Sequence, residues 1–238
     1  GLALETKKIN PKAVLNYVSN AKNQLIAPEQ YGQFANDYFS EKIAEIYPAY
    51  QKALRQNNAL DFDDIIMKTV ELFLKFPAIL GYYQEKFKFI SVDEYQDTNR
   101  AQYTLIKLLA EKYKNICVIG DVDQSIYSWR GATIQNILDF EKDYPNVKTV
   151  KLEQNYRSTQ IILDASNQII KKNRQRKEKN LWTQRSGGEK IRHWLADNER
   201  HEAELISQEI SKQLTGYEYP NYNDFVVLYR TNAQSRVI

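Results

Sequence analysis

Sulfur and glycine are both scarce in this sequence, which has one cysteine, one methionine and eight glycines among 238 residues. The single Cys117 cannot form an internal disulfide, so a disulfide-stabilised secreted scaffold is excluded. Its place in an apolar run predicts a buried, reduced thiol in a cytoplasmic protein. No glycine is followed by lysine, so these residues contain no phosphate-binding loop of the G-x-x-x-x-G-K-[ST] type.

Long apolar runs and a strong charge imbalance are also missing. No run approaches the roughly eighteen apolar residues of a membrane span, and the first residues lack a signal-peptide core, so we expect no membrane association. With 33 basic and 30 acidic side chains the formal net charge is only +3. This excludes a histone-like polycation, while a modest positive excess is compatible with nucleic acid. His193 and His201 have no partners at ligand spacing, so we predict no metal site at either histidine.

The first 58 residues have helical periodicity. Asn10-Pro11 is a typical helix start, and apolar side chains from Val14 to Leu25 recur on one face. A second stripe runs from Phe34 to Leu54 at spacings of three and four. Pro48 lies inside this stripe and predicts a kink or a break. A third helix is predicted from Leu60 to Phe76, with Asp61 as its cap.

From residue 87 onwards, short apolar runs alternate with helical segments. Strands are predicted at 89–92, 116–119 and 149–152, and helices at 101–113 and around 134–143. The chain then continues with a helix after Ser158, a strand at 191–195, a helix at 200–214 and a strand at 225–229. Alternation of this kind predicts an α/β fold whose parallel sheet is flanked by helices. Ligands of such sheets bind beyond the carboxyl ends of the strands.

Two carboxylates, Asp93 and Glu94, follow the first of these strands. Nucleotide hydrolysis needs a metal that bridges the phosphates and a group that deprotonates water. We therefore predict that Asp93 holds Mg²⁺, through water, and that Glu94 acts as general base. A helix cap or a solvated turn is the alternative interpretation of this pair.

A polar amide and an aromatic loop follow the second strand. Gln124 is placed to contact the γ-phosphate of a nucleotide. The next residues include Tyr127, Trp129 and Arg130, whose flat faces suit the stacking of exposed bases. The alternative is that Trp129 anchors a core and Arg130 is a surface charge.

A tyrosine and an arginine follow the third predicted strand. Arg157 can stabilise charge that develops on a γ-phosphate, and Tyr156 can stack on the nucleotide base. An ordinary salt bridge is the alternative for Arg157. The basic run from Lys171 to Lys179 can bind phosphate, or it can be a solvated helix end.

Together, residues 93–97, 120–132 and 154–158 resemble motifs II, III and IV of the superfamily 1A DNA helicases of the UvrD/Rep/PcrA group, and most closely the PcrA type. Residues 60–64 (Leu-Asp-Phe-Asp-Asp) and 228–236 (Leu-Tyr-Arg-Thr-Asn-Ala-Gln-Ser-Arg) also match segments of that family. The resemblance covers essentially the whole chain. DEAD-box RNA helicases are disfavoured because they have a different motif II tail and lack this aromatic loop.

The resemblance implies a domain organisation. Residues 1–58 are similar to the helical 1B insertion subdomain. Residues 59–155 are similar to the later part of the RecA-like P-loop NTPase domain 1A, and residues 156–238 to the start of domain 2A.

The resemblance also implies roles for individual residues. It agrees with the nucleotide-directed roles of Asp93, Glu94, Gln124, Tyr156 and Arg157. It adds that the following side chains line a single-stranded DNA track: Phe62, Tyr127, Trp129, Arg130, Arg230 and Asn232.

The implied activity is ATP- and Mg²⁺-dependent 3′-to-5′ movement on single-stranded DNA and unwinding at single-strand/duplex junctions, in DNA repair or replication. The family's adenine-reading Gln, phosphate loop and motifs V and VI are absent from these residues. We therefore expect an internal fragment that is inactive without the missing N- and C-terminal segments of the same helicase. The alternative is a non-catalytic module that binds single-stranded DNA or a protein.

Overall fold

A computed structural model describes residues 9–173, 178–215 and 221–238 of the chain. Contacts divide the described residues into two compact units. The first takes in those up to Glu153 and those within Gln168–Asn180, and the second takes in those within Gln154–Asn167 and Leu181–Ile238. The helices are α1 (Pro11–Asn23), α2 (Tyr38–Gln56), α3 (Phe62–Lys75), α4 (Pro77–Lys86), α5 (Arg100–Ala110), α6 (Gln135–Leu138), α7 (Phe140–Asp143), α8 (Gln160–Ile170) and α9 (Glu199–Leu214).

The first two helices build an apolar core in the first unit. Asn10 caps α1 by accepting a hydrogen bond from the Lys12 N–H at 2.9 Å, and Pro11 opens the helix as predicted. The core that α1 and α2 share consists of Ile9, Val14, Val18, Ala21, Tyr31, Ile43 and Tyr47.

Helix α2 continues through Pro48, so the predicted break is absent. A proline inside a helix costs about 3 kcal/mol. The neighbouring Ile43 and Tyr47 are fully buried, and such burial contributes about 1.5–3 kcal/mol for a large apolar side chain. Packing of these two residues offsets the missing hydrogen bond.

A buried polar network joins α1, α2 and α3. The Lys22 ammonium, which is 0% exposed, lies 2.5 Å from Asp61 Oδ2 and 3.0 Å from Asp64 Oδ2. Gln51 Nε2 donates to both Asp64 carboxylate oxygens, at 3.0 and 2.9 Å, and the Tyr50 hydroxyl donates to Asp61 at 2.9 Å. Asp61 and Asp64 also form the capping box of α3, so the predicted cap carries a tertiary role as well.

The sheet has two parallel strands, β1 (Ile90–Val92) and β2 (Ile116–Val118), connected through α5. The register pairs Ile90 with Ile116, Ser91 with Cys117 and Val92 with Val118. Parallel strands that alternate with helices are therefore confirmed for this part of the chain. The prediction of a buried Cys117 is wrong, because the thiol lies on an exposed face of the sheet.

The predicted strands at 149–152, 191–195 and 225–229 are not strands in the structure. A strand exists only when a neighbour accepts its backbone hydrogen bonds. Within the described residues, no backbone hydrogen bond joins residues 149–152 to another segment. Apolar side chains on these segments, such as Leu152 and Leu228, consequently stay exposed. The observed chain is thus rich in helix and has one small sheet.

Candidate functional site

The loops after β1 and β2 meet at the carboxyl edge of the sheet. The Ile119 N–H donates to the Val92 carbonyl at 2.8 Å, and the Tyr95 N–H donates to the Ile119 carbonyl at 3.0 Å. These two bonds bring residues 93–97 beside Gly120 and Asp121. Two of the three sequence motifs therefore share one edge of the first unit.

Asp93 and Glu94 are exposed at this edge. The Asp93 Oδ1 accepts a hydrogen bond from the Glu94 N–H at 2.9 Å. Glu94 has the left-handed conformation, with φ 52° and ψ 38°, which is uncommon for a residue other than glycine. This conformation turns the chain sharply from the strand into a 3₁₀ turn at Tyr95–Asp97.

Gln96 follows Glu94 by two positions and is 0% exposed. Its Nε2 donates to Glu94 Oε2 at 2.8 Å and to Asp97 Oδ2 at 3.3 Å. Its Oε1 accepts from the Asp121 N–H at 3.0 Å. The residue lies within the 93–97 motif, but the sequence analysis assigned it no role of its own; its position two after Glu94 was the available signal.

Asp121 organises the second loop. The Gln124 Nε2 donates to Asp121 Oδ2 at 2.8 Å, so the exposed Gln124 is held at the same edge. Lys179 forms an ion pair with Asp121 and lies 3.3 Å from Asp123 Oδ2. Burial raises the pKa of Asp121, but hydrogen bonds from Lys179 and Gln124 outweigh it and hold the pKa below its usual value.

The basic run is described only in part, because residues 174–177 lie outside the described ranges. Its last lysine, Lys179, is paired with Asp121. At that position the run stabilises an acidic loop.

The aromatic loop leaves its large side chains exposed. Trp129 is 67% exposed, and its ring centroid lies 6.4 Å from that of Tyr127. A core role for Trp129 is therefore wrong. Gly131 ends the loop at φ +81°, a conformation that favours glycine. The side chain of Arg130 lies outside the part of the chain that the structure describes.

Hydrogen bonds to other parts of the first unit hold the end of this loop in place. The Thr133 N–H donates to the Thr98 carbonyl at 3.2 Å, and Asn99 and Ala132 form an antiparallel bridge. Asn99 Nδ2 then donates to Asn23 Oδ1 at 2.9 Å, at the end of α1. Rigid elements therefore support an exposed aromatic surface.

Phe62 is the first residue of α3 and is 90% exposed. Its backbone is fixed by the capping box of Asp61 and Asp64 on its two sides. An aromatic ring so exposed adds nothing to a core.

The second unit carries the remaining predicted residues. Asn155 Oδ1 accepts from the N–H groups of Arg157 and Ser158 at 2.9 and 2.8 Å, which forms a tight turn. Tyr156 is exposed, and its hydroxyl donates to Gln154 Oε1 at 2.9 Å. Arg157 is also exposed, and its carbonyl accepts from Arg185 Nη1 at 2.8 Å.

Arg230 and Asn232 lie on an exposed turn near residue 238. The N–H groups of Arg230 and Thr231 both donate to Gln234 Oε1 at 2.9 Å. This turn belongs to the second unit, as do Tyr156 and Arg157.

Within the described ranges, no three His, Cys, Asp or Glu side chains are grouped so as to hold a metal ion. Among the same residues, no helix is both long enough and apolar enough to cross a bilayer.

Comparison with known proteins gave matches along the whole chain. A family model described as the UvrD/REP helicase N-terminal domain matches residues 2–145, and one described as the UvrD-like helicase C-terminal domain matches residues 150–238. Proteins named ATP-dependent DNA helicase PcrA from Staphylococcus epidermidis and Staphylococcus aureus are each 56% identical over 236 residues. The match covers 99% of this chain and 32% of each relative.

Proposed function

We propose that this chain, which belongs to the UvrD/REP helicase family, is part of an ATP-dependent DNA helicase. The resemblance drawn from its motifs is confirmed by the two family models. The chain spans about a third of the length of the curated relatives it matches. The activity proposed is therefore that of the full-length protein that contains these residues.

The observation that carries the proposal is the meeting of residues 93–97 with Gly120 and Asp121 at one sheet edge. Ligands of parallel sheets bind at this edge. It presents exposed carboxylates and an exposed amide side by side. A module that only binds DNA has no use for this combination.

Mg²⁺ would arrive with ATP as part of the substrate. Mg²⁺ keeps several waters and takes one or two carboxylates together with phosphate oxygens. The exposed Asp93 at the end of β1 fits that requirement. The bound ion would neutralise charge on the phosphates.

The remaining roles are assigned to the chain's own side chains. Glu94 accepts the proton of the attacking water, and Gln124 contacts the γ-phosphate. Tyr156 stacks on the nucleotide base. Arg157 stabilises the negative charge that grows on the transferred phosphoryl group.

Single-stranded DNA is proposed to run over aromatic and polar side chains. Base stacking contributes about 1–3 kcal/mol for each base and is sequence-tolerant. This suits a motor that must move over any sequence. The side chains assigned to this track are Phe62, Tyr127, Trp129, Arg130, Arg230 and Asn232.

The finer organisation is also proposed from the family. Residues 1–58 would form a helical 1B-like insertion, residues 59–155 the later part of RecA-like domain 1A, and residues 156–238 the start of domain 2A. The protein would act in the cytoplasm on single-strand/duplex junctions, in repair or replication, moving 3′ to 5′. The 238 residues alone are expected not to hydrolyse ATP, because no glycine in them is followed by lysine.

The second candidate is a non-catalytic module that binds single-stranded DNA or a protein. The exposed Trp129 loop favours the DNA-binding form of this candidate. Strand separation distinguishes the two proposals. A full-length helicase consumes ATP as it unwinds, whereas a binding module does not.

Unwinding of tailed duplexes by the full-length protein tests the proposal. We expect ATP-dependent strand release from a duplex with a 3′ single-stranded tail and not from its 5′-tailed counterpart. Release without ATP, or none from either substrate despite tight binding, would favour the binding module. Release from the 5′-tailed duplex alone would contradict the direction.

A further inference from the structure

The side chain of Gln96 joins two loops through three hydrogen bonds. It is fully buried, and its amide nitrogen donates to Glu94 Oε2 at 2.8 Å and Asp97 Oδ2 at 3.3 Å. Its amide oxygen accepts from the Asp121 N–H at 3.0 Å. One rigid side chain therefore connects the loop after β1 with the loop after β2.

Gly120 makes this connection possible. A Cβ at position 120 would lie 2.6 Å from Gln96 Oε1 and 2.9 Å from Ile137 Cδ1. The requirement for glycine here comes from this close approach. The second loop is thus shaped to receive the Gln96 amide.

The contact also restrains an otherwise exposed carboxylate. Glu94 is exposed, and an exposed glutamate side chain normally samples several rotamers. A hydrogen bond from a buried amide at 2.8 Å limits that freedom. On the other side of the link, Asp121 holds Gln124 at 2.8 Å.

We propose that Gln96 is a positioning residue that holds the Glu94 carboxylate in register with the loop carrying Gln124. This inference rests on the proposed function, because it takes Glu94 as the base and Gln124 as the γ-phosphate contact. Gln96 touches neither substrate nor water in this role. It sets the distance between the two groups that do.

The chain offers a matched comparison in Gln51. Gln51 is also a buried amide that donates to a carboxylate, that of Asp64, at 3.0 and 2.9 Å. It belongs to the network between α2 and α3 and makes no hydrogen bond to the sheet edge. Methionine is similar in size to glutamine, so replacing either residue by methionine removes a buried amide without changing the side-chain volume much.

The experiment compares Gln96→Met with Gln51→Met in the full-length protein, with ATP hydrolysis measured at saturating single-stranded DNA. We expect Gln96→Met to lower kcat about 10- to 100-fold with little change in KM for ATP, because small misplacements of reacting groups act on the chemical step. Gln51→Met should keep kcat near the wild-type value. Gln96→Met should also leave the Asp121 amide less protected from hydrogen exchange, because its acceptor is lost, whereas Gln51→Met should leave that protection unchanged.

Three results would overturn the inference. They are an unchanged kcat in Gln96→Met, a loss confined to KM, or an equal loss in Gln51→Met. Should Gln96→Met fail to fold, Gly120→Ala displaces the amide while leaving it present, and the same fall in kcat is expected. Absence of DNA-stimulated hydrolysis in the wild-type protein would instead overturn the proposed function.

Discussion

At the scale of single residues, the proposed DNA track depends on aromatic side chains such as Trp129. Trp129 lies in a loop whose backbone is hydrogen-bonded to the rest of the first unit, and its side chain is 67% exposed. Replacing Trp129 by alanine should weaken binding of a labelled oligo-dT by about 1–3 kcal/mol, measured by fluorescence anisotropy at low salt. Trp194→Ala, which removes a tryptophan from the second unit, serves as the control.

A Trp129→Ala variant that binds as tightly as the wild type and Trp194→Ala would contradict a stacking role for Trp129. Loss of binding in both would show that tryptophan removal disturbs the fold. Raising the salt concentration should weaken binding in every case, because phosphate contacts release counterions.

The buried Lys22 is the second residue whose removal has a defined consequence. Lys22→Met leaves two carboxylates, those of Asp61 and Asp64, without their shared cation. Breaking a buried pair from one side costs about 3–5 kcal/mol of unfolding free energy. Urea denaturation followed by circular dichroism measures the loss.

Lys68→Met is the control for this variant. Lys68 pairs with Glu71 at 2.9 Å on a partly exposed helix face, where a salt bridge contributes about 1 kcal/mol or less. If the two variants lose the same stability, the network of Lys22 does not hold α1 against α3.

At the scale of elements, the cap of α3 links stability to pH. Burial raises the pKa of Asp61, but hydrogen bonds from Lys22 and the Asp64 N–H outweigh it, so the pKa lies below its usual value of 3.8. A lowered pKa in the folded state stabilises the fold above the unfolded-state pKa, and this stabilisation is lost as pH falls through the folded-state value. We therefore expect the first unit to lose stability below about pH 4.

Urea denaturation at pH 7, 5 and 3 checks this expectation against an Asp61→Asn variant. The wild-type protein should lose more stability between pH 5 and pH 3 than the variant does. Identical pH profiles would show that Asp61 does not contribute to the acid sensitivity.

Elements with strong local signals were predictable from the sequence. For α3, the capping residue and the periodic apolar residues are all close together in the sequence, so a local pattern contains the whole signal. The same holds for α1 and α9. Helix α4 was missed because none of its residues is buried, so it has no clear apolar face. The prediction of a strand at 149–152 was wrong. A strand must pair with a segment that is distant in the sequence, and a local pattern carries no information about that partner.

In the candidate site, too, features with a local sequence signal were predictable, and features that depend on distant residues were not. That residues 93–97 and Gly120 would share an edge follows from parallel strands ending together. The role of Gln96 could not be predicted. Its burial depends on tertiary packing, and its hydrogen bond to Asp121 joins residues 25 positions apart in the sequence. The exposed Cys117 depends likewise on which face of β2 is covered.

At the scale of the whole chain, apolar side chains remain exposed on extended segments without backbone partners. Val150 and Leu152 in the first unit, and Val226 and Leu228 in the second, are examples. Exposed apolar extended segments promote association between chains. The 238-residue polypeptide should therefore self-associate as its concentration rises, which light scattering would detect.

Lysine substitution at Val226 and Leu228 should reduce that association, because charge on an extended edge opposes pairing. Lysine at the already polar Gln208 and Ser211 of α9 is the control. If lysine at Val226 and Leu228 leaves the association unchanged, another surface is responsible for the association.

The most direct test of the helicase proposal is ATP hydrolysis by the full-length protein, with and without oligo-dT, in the wild type, Glu94→Gln and Glu111→Gln. General-base catalysis contributes about 10²- to 10⁴-fold, so Glu94→Gln should lower DNA-stimulated kcat by that factor and leave KM for ATP nearly unchanged. Glu111 lies at the end of α5, and its replacement should have no effect. A Glu94→Gln variant that hydrolyses ATP at the wild-type rate would contradict the site proposed at this sheet edge.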